Sequence, residues 1–97
     1  MQRIALVLTI VAVALFMSHG KAAACACCGT YQVVNVANWD VLNIREGPGV
    51  QHRIIGAFAP NASCIVLTGH RHRNWVRVSG SGGQVGWVNA RYLRYIP

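Results

Sequence analysis

The residues able to do chemistry are few: four cysteines, three histidines outside the N-terminal stretch, and two carboxylates, Asp40 and Glu46. Cys64 with His52, His70 or His72 is the one nominal nucleophile–base combination. A cysteine inside a strand, in a compartment that permits disulfides, is a poor nucleophile, and two scattered carboxylates offer no acid–base pair. No residue is assigned a catalytic role. Cys25-Ala-Cys27-Cys28 with His70-Arg71-His72 has the donor types for a soft metal. The spacing fits no closed zinc template, and the arginines flanking His72 repel a cation, so neither a metal nor another cofactor is assigned.

The cysteines have a plainer use. Met1-Gln2-Arg3 is followed by an apolar run, Ile4–Met17, and by a small, polar exit ending in Ala22-Ala23-Ala24. That order is a secretory signal peptide over 1–24, and its apolar core is shorter than the ~20 residues that span a bilayer as a helix. No transmembrane anchor is expected after cleavage, and the product is periplasmic or secreted. Disulfides are the default there. Three cysteines crowd the new N-terminus, so one long-range bridge at most can form, and Cys28–Cys64 is the pairing expected. Its 37-residue loop would contribute roughly 4 kcal/mol in the chain-entropy picture. The other two either pair with each other or link to another chain as a disulfide-bonded dimer. A degenerate lipobox, Ala-Ala-Ala-Cys, makes lipidation of Cys25 an alternative.

Removing 1–24 leaves 73 residues, enough for one domain. Seven arginines then face two acidic residues and no lysine, a formal charge of +5. Guanidinium forks match carboxylates and phosphates and stack on aromatic rings, which favours an anionic partner; the same charge also serves solubility.

The elements that must position these groups are short strands. Val/Ile/aromatic runs at 31–36, 41–45, 53–58, 63–68, 75–78 and 85–89, and a last piece at 93–96, are separated by Gly, Pro and Asn clusters. Gly47-Pro48-Gly49 reads as a type II turn, with Gly49 at the positive-φ position. In Leu42-Asn43-Ile44-Arg45 the alternation sends Leu42 and Ile44 inward and Asn43 and Arg45 outward, and in Trp75–Val78 it sends Arg77 outward. The expected organisation is a cysteine-rich arm over 25–32 and one domain over 33–97.

Leu42-Asn43-Ile44-Arg45-Glu46-Gly47-Pro48-Gly49 resembles the signature of bacterial SH3-like (SH3b) domains. Ile54-Ile55-Gly56, Cys64–Leu67, Asn74–Val78, Gly86-Trp87-Val88 and Tyr92-Leu93 follow in the family's order, over about 33–96. Asn74 stands where the family has glycine, a change a loop accommodates because Asn tolerates left-handed φ. Cys64 stands where the family has an inward aliphatic, so it is either a buried apolar cysteine or a bridge partner. The resemblance implies an all-β, partly open barrel of five to seven short strands that binds cell-wall peptides or other protein ligands. The aromatic element by which eukaryotic SH3 domains grip proline-rich helices is missing, so that specificity does not carry over.

The candidate ligand-binding residues are Trp39, Arg45, Arg71, Arg73, Trp75 and Arg77, since aromatic and arginine side chains anchor most protein interfaces. Arg71 and Arg73 are placed on the loop before Trp75. Large aromatics also fill small cores: Trp75 and Trp87 are expected inside or sealing the ends, Tyr92 as a plug, and Trp39 exposed. Two functions follow. One is a non-catalytic module that binds peptidoglycan or an envelope protein through an arginine-rich face. The other is a structural or host-facing secreted protein that uses its N-terminal cysteines between chains. Nucleic acid is not an expected partner, because an exported domain rarely meets it.

Overall fold

The computed structural model describes residues 25–97; the expected signal peptide lies outside the described residues. Seven strands follow one another: β1 (Tyr31–Val33), β2 (Leu42–Arg45), β3 (Ile54–Phe58), β4 (Val66–His72), β5 (Trp75–Ser79), β6 (Val85–Asn89) and β7 (Leu93–Tyr95). A single 3-10 turn, Ala90–Tyr92, separates the last two. The fold is all-β and SH3-like, as expected.

Five strands form an antiparallel sheet in the order β3-β2-β6-β5-β4, and β1 pairs with β7 in a second. The two sheets meet where Tyr31 and Ile65 exchange backbone hydrogen bonds of 2.8 and 3.1 Å, and where the Val33 N–H donates to the Ala62 carbonyl. Strand alternation then decides what is inside. Leu42 and Ile44 of β2, Val76 and Val78 of β5 and Val88 of β6 face inward, and with Val33, Phe58 and Ile65 they make the core. No tryptophan is in it. Trp75 and Trp87, expected as core or end seals, sit half-buried on the outer face, because each occupies the outward parity of its strand. Tyr92 packs against the core from its edge, and Trp39 is 89% exposed.

The turns follow local chemistry. Pro60 and Asn61 (φ +66°) occupy the centre of a turn closed by the Ala62 N–H to the Ala59 carbonyl, and left-handed Asn after Pro is the type II pattern. Gly47–Gly49 departs from expectation. The Gly49 N–H donates to Gly47 O around Pro48, and the His52 N–H then donates to Gly49 O, so a γ-like turn and a β-turn replace the single type II turn. β1 stops at Val33 because Asn35 turns left-handed at φ +60°.

The hairpin joining β4 and β5 is tighter than expected. His72 pairs with Trp75, leaving Arg73-Asn74 as a two-residue turn, so Arg71 belongs to a strand and not to the loop. The left-handed residue is Arg73 (φ +56°), not Asn74. An L-side chain is disfavoured there, and Arg73→Gly is expected to raise unfolding stability by up to about 1 kcal/mol in a urea titration.

The Cys28–Cys64 pairing is corrected. Cys64 is bonded to Cys27 (Cα–Cα 4.9 Å), and Cys28 to Cys25 (5.4 Å). The reason lies at both ends. The arm curls over 27–30, where the Thr30 N–H and hydroxyl both donate to the Cys27 carbonyl, and this sets Cys27 against Ser63, 3.8 Å from its hydroxyl. Neighbouring side chains diverge, so Cys28 is left exposed and within reach of Cys25. Cys64 is not an inward strand residue either: at φ +61° it precedes β4, and Ile65 takes the core position. Among the described residues no cysteine is free, which leaves none for an interchain bridge and engages the Cys25 sulfur.

Candidate functional site

The outer face of the large sheet is ordered by register. Arg45 of β2 lies opposite Trp87 of β6, and Trp87 lies opposite Arg77 of β5. Two arginines thus flank one tryptophan across three strands. The next row along holds Asn89 opposite Trp75, and Trp75 opposite His72. Alternation made Asn43, Arg45 and Arg77 outward-facing in the sequence; the register that aligns them was not readable there.

Beside this face is a groove of about 590 Å³. One wall is the β1–β2 loop, with Asn35, Val36, Ala37, Asp40 and Val41; the floor is Asn43, Arg45, Trp75 and Asn89; Arg91 and Tyr92 of the 3-10 turn close one end and Val50 lies at the rim. Local hydrogen bonds fix the walls. The Asn35 amide donates to the Arg91 carbonyl at 3.3 Å, the Asn89 side chain accepts from the Arg91 N–H at 3.1 Å, and Asp40 accepts from the Val41 N–H at 2.7 Å. The lining combines two guanidinium groups, one carboxylate, two aromatic rings and three side-chain amides, and holds no thiol or imidazole.

The six candidate residues do not converge on one spot. Arg45 and Trp75 line the groove. Arg77 lies on the same outer face outside it, with its guanidinium 3.5 Å from the Thr68 hydroxyl. Trp39 projects from the loop tip two residues before Val41, and Arg71 and Arg73 are exposed at the far end of the β4–β5 hairpin. Arg45 is also a brace within the fold. One of its nitrogens donates to the carbonyls of Val50 (3.1 Å) and His52 (2.9 Å), tying the Glu46–His52 loop to β2. Sequence reasoning missed Asn35, Asn89 and Arg91 as groove residues; Tyr92, expected as a plug, packs against the core and also lines the groove. Asn89 was findable, since it shares Trp87's parity on β6.

Residues 40–94, more than half of the chain, match the family described as bacterial SH3 domain. The chain belongs to that family. Its domains are cell-wall-binding type modules, consistent with a binding role without catalysis. No curated protein matches the chain. Among the described residues no helix is long and apolar enough to cross a membrane, and the two disulfides are compatible with a periplasmic or extracellular location.

Proposed function

We propose that this chain is an exported, non-catalytic module, released from a leader at 1–24, that binds a peptide of the cell wall or of an envelope protein. The groove between the β1–β2 loop and the outer sheet face is its binding site. The observation that carries the reading is the lining itself. Arg45 and Arg91 offer forks to carboxylates, Trp75 and Tyr92 offer apolar surface, and the Asn35, Asn43 and Asn89 amides match peptide N–H and C=O groups. Asp40 on the loop wall suits an amino group, so the ligand favoured is a peptide with a net negative charge that still carries an amine. Arg77 and Trp39 flank this path and extend the contact along the sheet and the loop.

The test is retention on purified sacculi, with envelope-protein extracts in parallel. Trp75→Ala and Arg91→Ala are expected to lower retention at least about tenfold each, the loss typical of a central interface anchor. Added salt should weaken what remains. Arg45→Ala is a poor probe, because it also frees the Glu46–His52 loop. Unchanged retention in both groove variants would sink the assignment.

A further inference from the structure

β4 lies at the edge of the five-stranded sheet, hydrogen-bonded to β5 on one side. On the other side Ile65, one residue ahead of the strand, bridges to Tyr31; no described strand lies alongside Thr68–His72. At seven residues β4 is the longest described strand, and Gly69–His72 is exposed. Such an edge is a template for another strand, and proteins guard it with bulges and charges. Both guards are present. Between its pairings at Leu67 and Arg71, β4 carries three residues against one on β5, a bulge that Gly69 permits at φ +95°. Beyond it, His70-Arg71-His72-Arg73 is an unbroken basic run. Neither acidic residue balances it: Glu46 is paired with Arg53, and Asp40 caps Val41 on the far loop.

These guards work selectively. A second copy of this edge would set arginine against arginine, which opposes self-pairing, whereas an acidic strand would meet only complementary charge. We infer that the Gly69–His72 edge of β4 accepts, by strand addition, an extended acidic segment of a partner protein. The register assigns the contacts. His72 lies opposite Trp75 and shares its outer face, whereas Arg71 lies opposite Val76 on the other face. An added strand presents its side chains alternately to those two faces, so carboxylates at every second position meet Arg71, with Arg73 at the hairpin tip. Backbone hydrogen bonds supply attachment, and the guanidinium forks select the acidic sequence. This surface is separate from the groove, which neither arginine lines.

The test uses protein produced from the full sequence and a short fluorescent peptide alternating Glu with Thr. Controls are the Lys-for-Glu peptide, an acidic peptide with alternate backbone nitrogens methylated, and phosphatidylglycerol vesicles. The acidic peptide alone is expected to bind, and to slow amide exchange within Gly69–His72. Arg71→Glu with Arg73→Glu, both exposed, should weaken it at least about tenfold. Equal binding of the methylated peptide, exchange changes at Asn43 and Asn89 instead, or capture by vesicles without the peptide would each overturn strand addition. Retention on sacculi is a separate readout that none of these outcomes moves.

Discussion

Replacing both Cys27 and Cys64 by alanine is expected to lower unfolding stability by about 4 kcal/mol, whereas replacing Cys25 and Cys28 costs about 2 kcal/mol or less. The bonds join residues 37 and 3 apart in sequence. A long closed loop restricts the unfolded chain far more than a short one, which gives the difference. The long bridge also fastens the arm beside the Tyr31–Ile65 contact that joins the two sheets. In a domain this small, whose whole stability is on the order of 5–15 kcal/mol, its loss removes a large share. Urea titrations of the two double variants decide the matter. Equal costs, or the reverse order, would restore Cys28 as the partner of Cys64.

That correction shows which parts of the molecule its sequence displays. The strands β2 and β5 were legible because alternation is local: Leu42, Ile44, Val76 and Val78 all occupy the core their spacing assigned them, whereas the runs expected at 31–36 and 63–68 became Tyr31–Val33 and Val66–His72. The family was legible because Leu42–Gly49 and Gly86–Val88 are ordered motifs, and residues 40–94 match it. What stayed hidden depends on φ at single residues. Left-handed Cys64 moves its side chain off the strand, left-handed Arg73 tightens the hairpin, and left-handed Asn35 ends β1 early enough for the β1–β2 loop to wall the groove. Nothing in the composition marks an Arg or a Cys for that conformation, which L-residues disfavour. The tryptophans were misplaced for another reason. Size argued for burial, but parity on β5 and β6 put both on the outer face, where aliphatic residues had already filled the inner one.

Register also explains why Arg45, Arg91 and the pair Arg71 and Arg73 take three different roles. Arg45 is opposite Trp87 at the junction of β2 and β6, and its guanidinium is committed to two loop carbonyls. Arg91 follows β6 at the groove's end, where its backbone is held by Asn35 and Asn89 while its side chain stays exposed. Arg71 and Arg73 stand beyond the core altogether. A charge count sums them as one basic surface; the sheet divides them into a brace, a groove contact and an edge. Variants that remove several arginines at once would mix those roles.

The junction between β2 and β6 also sets the other large effect: Gly86→Ala is expected to cost about 1–3 kcal/mol, and Gly86→Val enough to prevent folding. A Cβ at Gly86 would lie 2.5 Å from Cγ2 of Ile44 and 2.8 Å from the backbone oxygen of Arg45. The isoleucine side chain is locked in the core, and the oxygen belongs to a strand paired with the one carrying Gly86, so neither neighbour can retreat. Against this, alanine restricts the unfolded chain, a gain of about 0.4–1 kcal/mol wherever the native backbone tolerates it. At Gly86 the clash exceeds that gain. Gly56 is the internal control, facing the same Ile44 from β3, with a Cβ there 3.6 Å from Cδ1, an ordinary contact. Gly56→Ala should therefore be neutral or slightly stabilising in the same thermal or urea measurement. If the two alanine variants unfold alike, the close approach of β6 to β2 is not what holds this barrel's register.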